Sequence, residues 1–209
     1  MLAVARSTGI TSIEQWKSSG TVIKFGGVSP GGGTDDLPKV VAEVLGLPLQ
    51  LVTGYKGTGP IRLAFNAGEV QGVSNSWESL KATWTNEVQR GEIVIILQET
   101  VRAHPELPNV PVAYDLAKSE EGKKLIRAQS TINGVTNRLY ALPPATPKPL
   151  VQTLRKAFLA TVKDPEFLAD AKKARLDIDP IEGEAIANEV KGLFNLEGSL
   201  VERLKEILK

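Results

Sequence analysis

Leu51-Val52-Thr53-Gly54-Tyr55-Lys56-Gly57-Thr58-Gly59-Pro60 decides how this chain is read. A β-rich run stops at a glycine-bracketed Tyr-Lys, and a helix opens at Thr58. Such a strand–loop–helix junction aims backbone N–H groups and one cation at a single point, a ready-made place for an anion. Leu63-Ala64-Phe65-Asn66-Ala67-Gly68-Glu69-Val70-Gln71-Gly72 follows, a short helix closed by glycine before another strand. The stretch reads as one βαβ unit with its loop in the ligand position.

Outward from this unit the same alternation continues. Leu2–Val4, Thr21–Phe25, Leu49–Thr53 and Val70–Ser74 read as strands, and Ile10–Lys17, Thr34–Leu45, Thr58–Ala67 and Ser76–Gln89 as helices. In the second helix Leu37, Val40, Val41, Val44 and Leu45 share a face, and Gly46 with Pro48 ends it. Glu92–Gln98, carrying Ile93, Val94, Ile95, Ile96 and Leu97, is a continuous apolar run, the mark of a strand buried on both faces. The fold class predicted is α/β, a parallel-rich sheet flanked by helices.

After Gln98 the character changes. Ala103 to Pro111 is punctuated by proline, Ser119–Gln129 reads as a charged helix, and Leu139–Leu142 as a short strand. The remainder reads as helix: Lys148–Lys163, Pro165–Arg175, Gly183–Phe194 and Gly198–Leu208. A boundary is expected near Gln98–Arg102.

Composition excludes more than it selects. The 209 residues carry a net charge of +1, so no whole-molecule field points to nucleic acid or an acidic membrane. Cysteine is absent, which removes disulfides, thiol nucleophiles and thiolate metal sites. The opening Met1-Leu2-Ala3-Val4-Ala5-Arg6 is too short an apolar run for a signal-peptide core, and no segment reaches membrane-spanning length.

Three glycine- or hydroxyl-rich turns follow strands and precede helices. In Gly26-Gly27-Val28-Ser29-Pro30-Gly31-Gly32-Gly33-Thr34-Asp35-Asp36 the bare backbone can approach a ligand and Thr34 can cap the helix. It lacks the Gly-Lys-Ser/Thr of a Walker loop and the glycine spacing of a dinucleotide fingerprint. Asp35 and Asp36 would repel an anion unless they point away. A flexible turn with a good cap remains the competing reading. Tyr55-Lys56-Gly57-Thr58 offers a phenol, an ammonium and a hydroxyl, or else a solvated lysine beside a packing tyrosine. Ser74-Asn75-Ser76-Trp77 reads first as a Ser76-x-x-Ser79 helix start with Trp77 packed on the surface, and second as a binding turn. Ligands of open α/β sheets collect at the C-terminal ends of strands, where all three turns lie. His104, the single histidine, has no serine–carboxylate pattern around it, and no His/Asp/Glu group has metal-ligand spacing, so no catalytic constellation is read.

In order along the chain, Phe25-Gly26-Gly27, Val52-Thr53-Gly54-Tyr55-Lys56-Gly57-Thr58, Gly68-Glu69-Val70, Leu107-Pro108-Asn109-Val110-Pro111, Pro143-Pro144-Ala145-Thr146-Pro147, Leu154-Arg155-Lys156-Ala157-Phe158 and Lys163-Asp164-Pro165-Glu166 resemble the substrate-binding proteins of tripartite tricarboxylate transporters, the Bug family. The fourth matches that family's Leu-Pro-Asp-Val-Pro and the fifth its Pro-x-Gly-x-Pro turn. The resemblance spans nearly the whole chain. It implies a type II periplasmic-binding-protein-like fold, two α/β lobes hinged around a ligand.

On that pattern residues 1–7 are a crossover strand, 8–98 form lobe two with its cleft loops, and 99–209 are a largely helical remnant of lobe one. The opening part of lobe one, with its first carboxylate-gripping loop, is expected to be absent. The ligand side of lobe two would come from Val28, Ser29, Gly31, Gly32, Gly33 and Thr34, from Tyr55, Lys56, Gly57 and Thr58, and from Ser74, Asn75 and Ser76. The family implies a small organic carboxylate as ligand, membrane transporter subunits as partners, a periplasmic location, and neither a cofactor nor a catalytic step. The alternative is a truncated module that acts through oligomerisation or a partner chain, its incomplete lobe exposing apolar surface.

Overall fold

Short apolar strands set between glycine-ended helices give a sheet with a helical layer on each face. The computed structural model describes residues 1–136, 138–174 and 176–209. Its strands are β1 (Leu2–Ala5), β2 (Ile23–Gly26), β3 (Leu49–Val52), β4 (Gly72–Ser74) and β5 (Ile93–Leu97), in the order β3-β2-β4-β1-β5. β2 runs parallel to both β3 and β4, while β1 is antiparallel to β4 and to β5. Four strands therefore point one way and β1 the other, a parallel-rich sheet as expected. Their C-terminal ends share an edge, which gathers the turns after β2, β3 and β4.

Helices α1 (Ile13–Ser19), α2 (Gly33–Leu45), α6 (Ala113–Leu116) and α7 (Glu120–Thr136) cover one face. There Trp16, Val41, Ala113 and Ile126 enclose the inward side chains of β1 and β2, Phe25 among them. On the other face α3 (Thr58–Asn66), α4 (Trp77–Thr83) and α5 (Thr85–Gln89) bring Ile61, Phe65, Leu80 and Trp84 onto Ala3, Val73 and Ile93. Val94 and Ile96 of β5 pack on the first face, Ile93 and Ile95 on the second, so the unbroken apolar run serves both. A third cluster joins Val40 of α2, Leu125 and Ala128 of α7, and Leu200 and Leu204 of α11 (Gly198–Leu208). The packing thus runs across the Gln98–Arg102 segment, where Gln98 bridges to Val112 and joins α6 to the sheet.

Four expectations change. The helix over Ser76–Gln89 is two helices, because the backbone leaves helical space at Trp84 (φ −114°, ψ 27°), whose fully buried indole meets Phe65 edge-on at 5.0 Å. Leu139–Leu142 is not a strand: among the described residues no strand pairs with it, and an unpaired segment has no ladder to hold it extended. Its Tyr140 ring rests instead on Phe158 of α8 (Lys148–Thr161). Ala113–Leu116 is helical, between the proline-punctuated segment that ends at Pro111 and the helix expected from Ser119, where no element was read. Thr34 is not the cap of α2; Gly32 holds that position. The last two long helices before α11 are α9 (Pro165–Lys173) and α10 (Gly183–Phe194); Arg175, the expected end of the former, lies outside the described residues.

Ala145 adopts a left-handed backbone (φ 65°) in the Pro143–Pro147 turn, at the position where the family pattern carries glycine. A Cβ there costs on the order of 1–2 kcal/mol. Ala145→Gly is therefore expected to raise the unfolding free energy by roughly 0.5–1 kcal/mol once glycine's greater unfolded-state entropy is deducted. Urea unfolding of the pair measures it; a destabilised glycine variant would contradict the strain.

Candidate functional site

The turn after β2 is laced to the turn after β3. Gly27 N–H donates to Val52 O (2.9 Å), Tyr55 N–H to Gly27 O (3.2 Å) and Gly54 N–H to Val28 O (3.3 Å). Gly26 pairs with Val73 in the next strand, so the turn after β4 lies alongside. All thirteen candidate residues therefore belong to one edge of the sheet.

What their polar groups do there differs from the sequence expectation. The Asp35 carboxylate, wholly buried, turns back into the glycine loop. Its Oδ2 accepts from Val28 N–H (2.7 Å), Ser29 N–H (3.1 Å) and the Thr34 hydroxyl (2.8 Å), and its Oδ1 from the Thr53 hydroxyl (2.5 Å). Val28 N–H also reaches Thr34 Oγ1 (3.1 Å). Asp36 Oδ1 accepts from Gly31 N–H (3.0 Å), and Gly32 N–H donates to Ser29 O (3.1 Å). The acids do not point away, as an anion site would require; both turn into the loop and occupy its donors. A Cβ on Gly33 would strike the Asn133 amide of α7, which closes that side.

The turn after β4 is similarly engaged. Ser74 donates its hydroxyl to the buried Glu99 (2.7 Å), Asn75 its amide to Ser79 Oγ (3.1 Å), and Ser76 Oγ caps α4 by accepting from Ser79 N–H (3.2 Å). Here the helix-start reading describes Ser76.

The Tyr55 hydroxyl donates to Glu69 Oε1 (2.6 Å). The Tyr-Lys-Gly and Gly-Glu-Val pieces of the decisive stretch are thus bonded to one another, strapping the loop to the far end of α3. The bond to Glu69, then partial burial and the glutamate charge, push the phenol up to about 12. Because the folded value exceeds the ordinary 10.0, the contribution to stability is full below pH 10 and is lost as pH rises through 12. In an ultraviolet titration one of the three tyrosines is expected to ionise late, and Glu69→Ala to return it toward 10. Three tyrosines ionising together would contradict the strap.

Gly57, Thr58 and Lys56 remain at the mouth. Gly57 is the N-cap of α3 with φ 106° and ψ 178°, and no side chain caps this helix. Thr58 is the first helical residue, not the capping hydroxyl. Lys56 is exposed, and among the described residues no side chain pairs with it. Since Pro60 has no N–H, the first turn offers the Thr58 and Gly59 amides, with an exposed ammonium two residues before them in the chain.

Away from this edge, Glu78, His104 and Asp177 bring ligand atoms within 4.8 Å of one another, a grouping their sequence separation hides. Lys81 Nζ already sits 3.0 Å from Asp177 Oδ2 and from both Glu106 oxygens, and Trp77 Nε1 donates to Glu106 (2.6 Å). Trp77, then Lys81, hold the Glu106 carboxyl below its usual range. His104 Nδ1 accepts from Glu106 N–H (3.1 Å). Lys81 thus already pairs with Asp177 and with Glu106, an ion-pair cluster joining α4 to the segment after α9.

Sequence reasoning missed Asp35, Thr53 and Glu99. The available signal was two acids in the first helical turn after a loop rich in unfilled amides.

No protein-family model and no curated protein matches the sequence. Solved structures do. R. palustris Rpa4515 with adipate superposes with a TM-score of 0.64 at 16% identity, covering 100% of this chain and 64% of that one. A TctC solute binding protein from Polaromonas, without ligand, gives a TM-score of 0.63 at 16% identity, covering 93% of this chain and 65% of that one. The chain therefore spans just under two thirds of the length of these neighbours. At such identity the likeness shows the fold alone, the α/β architecture that these two structures share with this chain, in agreement with the fold that the motif resemblance implies.

Proposed function

We propose that this chain is a solute-binding protein of the tripartite tricarboxylate transporter type, which holds a small organic carboxylate and delivers it to membrane transporter subunits without catalysis. The observation that carries the reading is the uncapped N-terminus of α3, opening from the Gly54–Gly57 loop beside Lys56 at the ligand edge of the sheet. First-turn amides and a helix dipole hold a carboxylate well without a buried arginine. That one neighbour of the same fold is solved with adipate makes linear dicarboxylates the first class to try. The place of work is extracytoplasmic; among the described residues no helix is long and apolar enough to cross a membrane. Titration calorimetry against adipate, succinate and citrate tests the proposal, with saturable heat and a raised melting temperature expected for at least one. No heat from any of them would remove it.

A second reading rests on a different observation. Tyr140 and Phe194 are 83% and 86% exposed, and Leu150, Leu154, Phe158, Phe167 and Leu168 stand open on α8 and α9. In this reading the apolar helices take a second copy or a partner chain, and the solute is bound only in the assembly. Sedimentation separates the two: a monomer at every concentration that still binds carboxylate excludes the second.

A further inference from the structure

We propose that the loop between β2 and α2 is a carboxylate cradle whose resident anion is the chain's own Asp35, and that Asp35 thereby positions both cleft loops and leaves the seat at α3 for the ligand. The cradle supplies four donors: two consecutive amides, Val28 and Ser29, and two hydroxyls, Thr34 and Thr53. Among the described residues no cationic side chain pairs with Asp35, so this wholly buried anion is held by neutral dipoles and by the start of α2. The backbone is shaped around it. A Cβ on Gly27 would come within 2.7 Å of all three atoms of the carboxylate group, so glycine at 27 and aspartate at 35 form a matched pair.

The position of Thr53 gives the cradle its reach. Thr53 directly follows β3 and precedes Gly54, and its hydroxyl bonds the oxygen of Asp35 that the first loop does not use. One carboxylate therefore ties the Val28–Thr34 loop to the root of the Gly54–Gly57 loop. An incoming carboxylate finds the Val28 and Ser29 amides taken and meets the first turn of α3 instead. This last step rests on the carboxylate-binding reading above; the cradle itself does not.

Asp35→Ala removes the carboxylate and leaves four donors around a space that formate fits. The variant is expected to melt well below the wild type and to regain melting temperature in proportion to the logarithm of formate concentration, as mass action requires. Chloride at equal ionic strength is expected to leave it unmoved, and the wild type to ignore formate. Equal responses to formate and chloride, or a formate response as large in the wild type, would overturn the cradle. If Asp35→Ala does not fold, amide shifts of the wild type decide. Formate is expected to leave Val28 and Ser29 unmoved, and their displacement would show a cradle open to outside anions. Where adipate binds the wild type, its affinity for Asp35→Ala is expected to fall at least about tenfold and to recover with formate. Rescue of melting without rescue of adipate binding would confine Asp35 to the cradle and remove its positioning role. Formate rescue in a chain that binds no dicarboxylate would sink the proposed function and leave the cradle standing.

Discussion

Phe25→Ala is expected to remove about 3–5 kcal/mol of folding free energy, a loss matched only by truncation of a buried tryptophan such as Trp16 or Trp84. Phe25 lies in the middle of β2, wholly buried, and its ring stacks on Trp16 at 5.8 Å with an interplanar angle of 18°. Its other side covers Gly72 in β4, its registered partner, where an added Cβ would collide with the ring. The ring thus fills a slot built from two strands and α1, and emptying it leaves a cavity that rigid sheet backbone cannot collapse to fill. Loss of the aromatic pair adds about 0.5–1.5 kcal/mol to the lost burial. Against a typical total of roughly 5–15 kcal/mol, that is enough to leave a large unfolded fraction on warming. Gly72→Ala should destabilise by the opposite fault, overpacking, at about 1–3 kcal/mol. Combined with Phe25→Leu, its cost should be partly relieved, since the two positions share one volume. Urea unfolding followed by tryptophan fluorescence reads all of these. A Phe25→Ala loss below about 1 kcal/mol, no more than an exposed control such as Phe194→Ala, would mean that β2 and β4 are not packed through this slot.

That slot marks the limit of what was legible along the chain. The alternation of apolar strands with amphipathic helices was readable because periods of 2 and 3.6 are local properties of the sequence. So was the strand–glycine–helix grammar that puts three turns on one edge. The antiparallel entry of β1 was not, since direction depends on where a strand of four residues finds its partners. The break at Trp84 escaped for a related reason: a buried indole overrides the local preference for one continuous helix. Leu139–Leu142 shows the converse, a β-prone segment left without a neighbouring ladder. At the site the residue types were readable and their commitments were not. Val28, Ser29 and Thr34 looked like free donors, and only the turn of Asp35 back across seven positions reveals that they are spoken for. Tyr55 and Glu69, fourteen residues apart, were both quoted as parts of one pattern, yet nothing in the spacing says that they touch.

Gly57→Ala is expected to cost most of the ligand affinity, about tenfold to a hundredfold, and this is the largest functional effect foreseen. At φ 106° and ψ 178° Gly57 sits in a region that is essentially closed to residues with a Cβ, at a price of about 1–3 kcal/mol. An alanine there relieves the strain by rotating the flanking peptides, and the next amide in the chain is that of Thr58, the first of α3. A hydrogen bond to a charged group is worth about 1.5–3 kcal/mol, which converts to the stated range if one such bond is lost. Space is not the issue, because an added Cβ at Gly57 would meet nothing within 4 Å. The effect is therefore one of backbone direction alone, and it separates two seats for the ligand. If the carboxylate sits on the α3 amides, Gly57→Ala weakens it strongly. Lys56→Ala should weaken it less and in a salt-dependent way, since Lys56 is exposed and acts through screened charge. If the seat is the Val28–Thr34 loop instead, the order of the two effects has no reason to hold. Gly134→Ala, within α7 and facing open space, serves as the matched control, with unchanged affinity and a small gain in stability. Calorimetry with whichever dicarboxylate binds the wild type reads all three variants. A Gly57→Ala protein that binds within about twofold of wild type would take the ligand away from α3.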